Sequence, residues 1–213
     1  MLDNQYDLIV IGTGPGGAAL AQRLASTDKR ILILERGDYL PRSVDNWDSH
    51  KVFVEGIYQA TETWDDKQGN AFHPGLHYYV GGNSKMYGAA LFRLRERDFN
   101  VVHHSGGISP EWPLKYDVFK PYYKQAEALF HVHGMRGEDP TEPLATDPYP
   151  YPALAHEPRM QRLNDNFTRL GLRPFHIPIG ILLDEKNGKA TPTSIGFRTP
   201  YFDGYPSPLN CKA

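Results

Sequence analysis

Hydrophobic and polar positions follow a regular order over the first 35 residues. Asp7 to Ile11 is a short apolar run rich in β-branched residues, which is typical of a buried parallel strand. A glycine-rich stretch follows, and apolar residues then recur at helical spacing from Ala18 to Ala25. A second apolar run, Arg30 to Leu34, ends at Glu35. This order predicts a βαβ unit with two parallel strands.

The pattern beyond residue 37 is weaker. It predicts a short helix within 47–59 and then a half-exposed strand over 90–97. In that strand the side chains of Arg93, Arg95 and Arg97 are expected to face solvent.

The second half of the chain contains two predicted helices. The first covers 119–130 and has Pro121 in its first turn, where proline is acceptable. The second covers 159–171, with Gly171 where a helix would stop. A strand is predicted over 177–183.

A glycine-rich loop lies between the first predicted strand and its helix, with the spacing Gly12-x-Gly14-x-x-Gly17. In a βαβ unit the first glycine allows a tight turn, the second lets the backbone approach a pyrophosphate, and the third lets helix and strand pack closely. Amide groups at the helix start then point at the phosphates from the positive end of the helix dipole. The loop therefore predicts a dinucleotide site, completed by Pro15 and Gly16.

An acidic residue ends the second predicted strand, where such a site needs one. Glu35 is predicted to accept hydrogen bonds from a ribose hydroxyl. Its charge disfavours a 2′-phosphate, whereas the neighbouring Arg36 favours one, so these two residues leave that choice open. NAD and FAD share the same fingerprint, and the loop does not distinguish them.

Composition excludes several classes of partner. The 213 residues include 23 Lys and Arg against 25 Asp and Glu, and no basic tract suggests binding to nucleic acid or an anionic membrane. The single cysteine, Cys211, excludes an internal disulfide framework. No apolar stretch approaches membrane-spanning length, and the chain starts with acidic rather than basic residues. We therefore expect a cytoplasmic protein without a nucleic-acid or membrane partner.

The nine histidines do not suggest a metal site. His103-His104 and His131-x-His133 are the closest pairs, but neither has a third ligand at a recognisable spacing. We expect no bound metal.

A second glycine cluster, Gly81-Gly82-Asn83-Ser84, begins a stretch that runs to Arg93 and is followed by Asp98-Phe99. Together with Glu35-Arg36-Gly37, this stretch resembles the signatures of the glucose–methanol–choline oxidoreductases. The segment from Trp112 to Glu127 is similar to a helix entry of that family, with a leaning toward its pyranose-oxidase-like branch.

The resemblance implies a site for FAD. The loop 12–17 would hold the pyrophosphate, Glu35 would bind the adenosine ribose, and 81–84 would bring backbone and short side chains to the isoalloxazine edge. A branch of the family with histidine-linked FAD would need a histidine near Met86, so we expect non-covalent FAD. Tyr87 stands where many members carry Asn.

The implied reaction is oxidation of an alcohol or sugar hydroxyl on a small molecule. In the family a base takes the hydroxyl proton while hydride passes to flavin N5, and an electron acceptor, not identified here, reoxidises the flavin. That base is a histidine near the C-terminus of family members. This chain has no counterpart of that segment, so we assign no catalytic residue.

The expected fold class is α/β: a Rossmann-like βαβ start of a doubly wound sheet, followed by an irregular, proline-rich C-terminal third. We expect 1–133 to be the FAD-binding portion. The rest, 134–213, holds 12 of the 18 prolines and is expected to connect to a missing substrate domain, so that the fold is incomplete. Two alternatives stay open: a non-catalytic dinucleotide-binding or interaction module, and an NAD-dependent dehydrogenase fragment.

Overall fold

The computed structural model describes residues 5–41, 43–86, 89–145 and 147–181. These residues form two compact units, which we call the N-terminal unit (5–86) and the C-terminal unit (89–181). The division into two units does not show which residues bind a dinucleotide. The assignment of 1–133 to FAD binding therefore stays a prediction.

The N-terminal unit begins with the predicted βαβ arrangement. Strand β1 is Leu8–Ile11, helix α1 is Pro15–Leu24 and strand β2 is Ile31–Leu34. The strands are parallel and pair in register from Leu8 with Ile31 to Ile11 with Leu34. A proline at the first helical position suits α1, since that position has no intrahelical partner for an N–H. The predicted βαβ unit is confirmed.

The expectation that both strands are buried is wrong for the described structure. Val10 is buried, but Ile9, Ile11, Ile33 and Leu34 are between 42% and 86% exposed. The described part of this sheet has only two strands, and one helix packs beside them. Two strands and one helix leave much of the apolar surface uncovered.

The remainder of the N-terminal unit is made of short helical turns and one hairpin. A 3₁₀ turn, Val44–Trp47, and a π-helical turn, His50–Val54, stand where a short helix is predicted. Strands β3 (Trp64–Asp65) and β4 (Ala71–Phe72) form an antiparallel hairpin, and a second 3₁₀ turn covers Gly82–Met86. The Tyr58 hydroxyl donates to Oδ1 of the buried Asn46 at 2.6 Å.

The C-terminal unit combines two helices with short strands. Strands β5 (Val102–His104) and β6 (Gly107–Ser109) form an antiparallel hairpin. Helix α2 covers Tyr116–Leu129. Pro121 therefore lies inside the helix, and its expected place in the first turn is wrong: the helix begins earlier than its apolar spacing suggests.

A three-stranded sheet and a third helix complete the C-terminal unit. The central strand β7 (Val132–Gly134) pairs in parallel with β8 (Tyr151–Pro152) and antiparallel with β9 (Ile179–Gly180). Helix α3, Pro158–Arg169, confirms the helix predicted over 159–171. The predicted strand over 177–183 is present as β9, and its last two residues lie outside the described residues, as does Cys211.

A group of aromatic rings surrounds Phe99 in the C-terminal unit. Phe99 is 1% exposed, and its ring centroid lies 5.2 to 6.0 Å from those of Trp112, Tyr116 and Phe119. Ring pairs at these distances are stabilising beyond the area that they bury. The 3₁₀ turn Glu96–Phe99 places Phe99 in this group.

The strand predicted over 90–97 does not form, and of its three arginines only Arg97, whose side chain is 82% exposed, faces solvent as expected. Ala90 makes one isolated bridge, with Ile179, and the following residues are not a strand. Arg93 is buried, and its Nε and Nη2 donate to the two carboxylate oxygens of Glu127 at 2.6 and 2.7 Å. Arg95 pairs with Asp139. Two of the three alternating arginines therefore form ion pairs, with carboxylates 34 and 44 positions later in the sequence, which the local pattern does not reveal.

A network of buried charges, which we call the buried ion network, extends from this pair. It contains Arg93, Glu127, Arg136 and Glu142, whose side chains are each at most 9% exposed. Arg136 donates to both oxygens of Glu127, at 3.2 and 3.0 Å, and also pairs with Glu142. Burial acts to lower the pKa of Arg93, but hydrogen bonds with Glu127 and Tyr116 outweigh it and raise that pKa above its ordinary value.

None of the helices in the part of the chain that the structure describes combines the length and the apolarity that crossing a bilayer requires.

Candidate functional site: a glycine loop with an acidic partner

The first glycine loop leads directly from β1 into α1. Gly12 has a φ of +91°, in the left-handed region that favours glycine. A Cβ atom at Gly17 would lie 2.3 Å from the backbone oxygen of Gly12 and 3.1 Å from the side chain of Val10. The turn and the close packing of helix against strand therefore require glycine at these two positions.

Gly14 has no such internal reason to be glycine. Its φ of −63° is ordinary, and a Cβ built on it would meet no atom of the described residues within 4 Å. The same open space lies beside Gly16. Gly14 is the N-cap of α1, and no side chain caps this helix end, where the first amide groups have no intrahelical acceptor. Open backbone at the positive end of a helix suits a phosphate group, so these residues fit a pyrophosphate.

Glu35 lies beside this loop and is held there by Thr13. The backbone N–H of Thr13 donates to Glu35 Oε2 at 2.9 Å, and the Thr13 hydroxyl donates to the same oxygen. The other oxygen, Oε1, accepts the N–H of Gly37 at 2.9 Å. The hydrogen bond from the Thr13 hydroxyl, followed by those from the Gly37 and Thr13 amides, lowers the pKa of Glu35 from 4.5 to about 2. At neutral pH this carboxyl group is an ionised acceptor.

The second glycine cluster joins the same site through Thr13. The N–H of Gly81 donates to the Thr13 hydroxyl oxygen at 2.9 Å. Gly81 and Gly82 have φ values of +94° and +57°, so both positions favour glycine. The segment is also tied to the chain that follows β2, because the N–H of Val80 donates to the oxygen of Asp38 at 3.0 Å.

The two short polar side chains of the second cluster bond within their own segment. Asn83 Oδ1 accepts the backbone N–H of His77 at 2.9 Å, and the Ser84 hydroxyl donates to the oxygen of Gly81 at 2.5 Å. These bonds shape the turn that carries Gly81. A contact of Asn83 or Ser84 with a cofactor stays a prediction, and Tyr87 lies outside the described residues.

A cleft of about 410 Å³ begins at Arg36, the residue after Glu35. Its lining is formed by 36–38, 58–62 and 78–79. This volume is in the range of small-molecule sites. The cleft has charged and aromatic side chains together, which suits a polar ligand with a planar ring.

The charge of Arg36 is matched within the cleft. Its guanidinium donates to Glu62 at 2.7 Å and lies over the ring of Tyr78, 3.7 Å from the centroid. The hydroxyl of Tyr78 also donates to Glu62. The hydrogen bond from Arg36 lowers the pKa of Glu62, so that the pair is ionic at neutral pH. Arg36 is therefore less available to a 2′-phosphate than its position beside Glu35 suggests.

The structure brings together the main residues that the sequence singles out. Glu35 and Gly81 both contact the first glycine loop, and both do so through Thr13, whose role the sequence analysis missed. A hydroxyl residue directly after the first glycine, opposite an acid that ends the neighbouring strand, was the available signal. Glu62 offered no such signal, since it lies 26 positions after Arg36 with no motif that links the two.

The histidine pairs belong to the C-terminal unit. His103 and His104 are in β5, and His133 is in β7 with its Nδ1 3.1 Å from the oxygen of Pro152. Among the described residues, no group of three or more His, Cys, Asp or Glu side chains is arranged to hold a metal ion.

Similarity to known proteins covers the same region. A family model described as an NAD(P)-binding Rossmann-like domain matches residues 10–94, which confirms the expected Rossmann-like fold class. The 6‴-hydroxyparomomycin C oxidase of Streptomyces lividus is 29% identical over 191 residues, 88% of this chain and 34% of that protein.

Two further curated relatives extend the comparison. The 2-methyl-1,2-propanediol dehydrogenase of Mycolicibacterium austroafricanum is 28% identical over 153 residues, 67% of this chain and 27% of the relative. A provisionally named FAD-dependent oxidoreductase of Marinomonas mediterranea, LodB, is 49% identical over 49 residues, 22% of this chain and 13% of that protein. The chain spans about a third or less of the length of these relatives.

Proposed function

Because the chain belongs to the glucose–methanol–choline oxidoreductases, we propose that it is the FAD-binding part of an enzyme that oxidises a hydroxyl group of a small alcohol or sugar. The observation that carries this proposal is the open backbone at Gly14 with the ionised Glu35 beside it. The backbone at Gly14 offers positive potential to phosphates, and Glu35 offers a hydrogen-bond acceptor to a ribose.

Each half of the dinucleotide has residues that suit it. The amide groups at the start of α1 would bind the pyrophosphate, and Glu35 would accept a hydroxyl of the adenosine ribose. The cleft that begins at Arg36 would take the adenine. The backbone of 81–84 would lie along the flavin ring, where N–H groups stabilise negative charge. We propose non-covalent FAD because Met86 cannot form the histidine link.

FAD, when bound, would accept the hydride that leaves the hydroxyl-bearing carbon of the substrate. This chain's residues would position that cofactor, and we assign none of its histidines as the base. The substrate class follows two relatives, an oxidase named for a hydroxyparomomycin and a dehydrogenase named for a propanediol. The electron acceptor is not assigned, and the cytoplasmic location expected from the sequence stays a prediction.

The test is FAD binding by the full chain and by a Gly14→Ala variant. The purified protein is examined for flavin absorbance and titrated with FAD, following quenching of flavin fluorescence. We expect the wild type to bind FAD and Gly14→Ala to lose binding with little change in stability, because the added methyl group meets only open space where a phosphate would lie.

Gly106→Ala is the matched control. Gly106 lies in the β5–β6 hairpin turn of the other unit, and a Cβ there would approach only the ring of His104, at 3.4 Å. This variant should bind FAD like the wild type. Absence of FAD binding by the wild type, or equal binding by Gly14→Ala, would disprove the proposed function.

A second candidate is NAD binding without a flavin. The matched family model is described as NAD(P)-binding, and Glu35 with the neutralised Arg36 favours an unphosphorylated ribose. Parallel titrations with FAD and NAD distinguish the two. Tight binding of NAD with no retention of FAD would favour this second function.

A further inference from the structure

Thr13 is the point where three segments of the N-terminal unit meet. It lies in the glycine loop, 22 positions before Glu35 and 68 before Gly81, and hydrogen-bonds to both. The direction of each bond is determined by chemistry. The Gly81 N–H can only donate and an ionised carboxylate can only accept, so the Thr13 hydroxyl accepts from Gly81 and donates to Glu35.

This arrangement restricts how the carboxylate can meet a ligand. Each carboxylate oxygen offers about two acceptor directions. Thr13 supplies two donors to Oε2, its N–H and its hydroxyl, whereas Oε1 accepts from the N–H of Gly37. A ligand hydroxyl that reaches Glu35 therefore has to bond at Oε1. The rotation of the carboxylate is also held, because both of its oxygens are anchored to the backbone.

We propose that Thr13 is a specificity-determining positioning residue: its hydroxyl holds Glu35 in the one orientation that recognises a ribose 2′-hydroxyl. This inference rests on the proposed function, in which Glu35 binds the adenosine ribose. The inference adds Thr13 as the residue that makes Glu35 discriminate between a ribose with a 2′-hydroxyl and one without it. Thr13 acts through Glu35 and does not itself touch the sugar.

The Gly81 bond gives the same hydroxyl a second role. The segment 81–84 and the acid Glu35 share Thr13 as their common partner, so a loss of its hydroxyl removes one hydrogen bond from each at once. The N–H groups of Thr13 and Gly37 still bond to Glu35, which then lacks the donor that completes its orientation. Serine at this position retains the hydroxyl, whereas valine replaces it with a methyl group of similar shape. The two variants therefore separate hydrogen bonding from packing.

The experiment measures binding of ADP and of 2′-deoxy-ADP to the full chain by calorimetry. Wild type and Thr13→Ser should bind ADP about tenfold more tightly than 2′-deoxy-ADP, the effect of one charge-assisted hydrogen bond. In Thr13→Val the affinity for ADP should fall about tenfold, and the ratio between the two nucleotides should approach one. Equal weakening of both nucleotides would show a merely structural role and overturn the proposal, as would a Thr13→Ser defect equal to that of valine.

A measurement without ligand separates this inference from the proposed function. The pKa of the Glu35 carboxyl, followed by NMR, should be about 2 in the wild type and rise toward 4.5 in Thr13→Val. A wild-type pKa near 4.5 would overturn the inference even if FAD binds. This measurement on the wild type does not depend on the folding of any variant. A pKa of about 2 in a protein that binds neither FAD nor ADP would reject the proposed function and this role with it, while leaving the hydrogen bond itself intact.

Discussion

Replacing Glu127 with glutamine should severely destabilise the C-terminal unit. Glu127 is 5% exposed and accepts hydrogen bonds from two buried guanidinium groups, those of Arg93 and Arg136. The change keeps the volume of the side chain but removes its charge. The buried ion network then keeps two cations, Arg93 and Arg136, but only one anion, Glu142. One positive charge is therefore buried without compensation.

The size of the effect follows from this charge imbalance. Breaking a buried pair by removing one partner costs about 3–5 kcal/mol, because the remaining charge stays out of water. Natural domains have total stabilities of about 5–15 kcal/mol, so a large share of the free energy of unfolding would be lost. The bidentate geometry with Arg93, at 2.6 and 2.7 Å, places the expected value at the upper part of this range.

The assay is urea unfolding of the full chain, followed by tryptophan fluorescence. Trp112 packs against Phe99 in this unit and reports its unfolding. The matched control is Asp147→Asn, which makes the same carboxyl-to-amide change in an exposed pair with Lys124. Exposed pairs contribute little, so the control midpoint should not move. If Glu127→Gln is no less stable than the control, the buried ion network does not stabilise the unit and the reasoning fails.

Three further predictions concern the N-terminal unit. Gly17→Ala should destabilise by about 1–3 kcal/mol because its Cβ would overlap the Gly12 oxygen, and thermal unfolding that matches the tolerated Gly14→Ala would contradict this. Since the folded-state pKa of Glu35 is lowered, its stabilising effect is present above pH 4.5 and disappears as pH falls toward about 2. The stability difference between wild type and Glu35→Gln should therefore be constant above pH 4.5 and shrink below it; a constant difference down to pH 2 would be inconsistent. Glu62→Gln should free Arg36 and raise the affinity for adenosine 2′,5′-bisphosphate relative to ADP roughly 3–10-fold, and an unchanged ratio in competition binding would show that Glu62 does not restrain it.

The sequence predicts the parts of the fold that depend on local spacing. The βαβ unit follows from the apolar runs and the glycine loop, and α3 follows from its helical periodicity and Gly171. In both cases the signal lies within the element itself. Local patterns of this kind are visible without knowledge of what packs against them.

Long-range pairing is what the sequence does not reveal. Arg93 has the spacing of an exposed strand residue, but its carboxylate partner lies 34 positions later in α2. The candidate site shows the same division. Glu35 and the glycines are recognisable from their motifs, whereas Glu62 and the bonding role of Thr13 depend on contacts that only the folded chain brings about.

The alignment of two four-residue strands determines what stands next to the glycine loop. Ile11 is paired with Leu34, and the N–H of Gly12 donates to the oxygen of Leu34 at 2.7 Å, so the residues that follow, Thr13 and Glu35, emerge side by side. A slip of one position would turn Glu35 to the opposite face and present its neighbour instead. An insertion or deletion in the turn between α1 and β2 is thus able to abolish the proposed recognition of a ribose while every motif residue is retained. The position of the Glu35 carboxylate therefore depends on the register of the two strands as well as on the residue type.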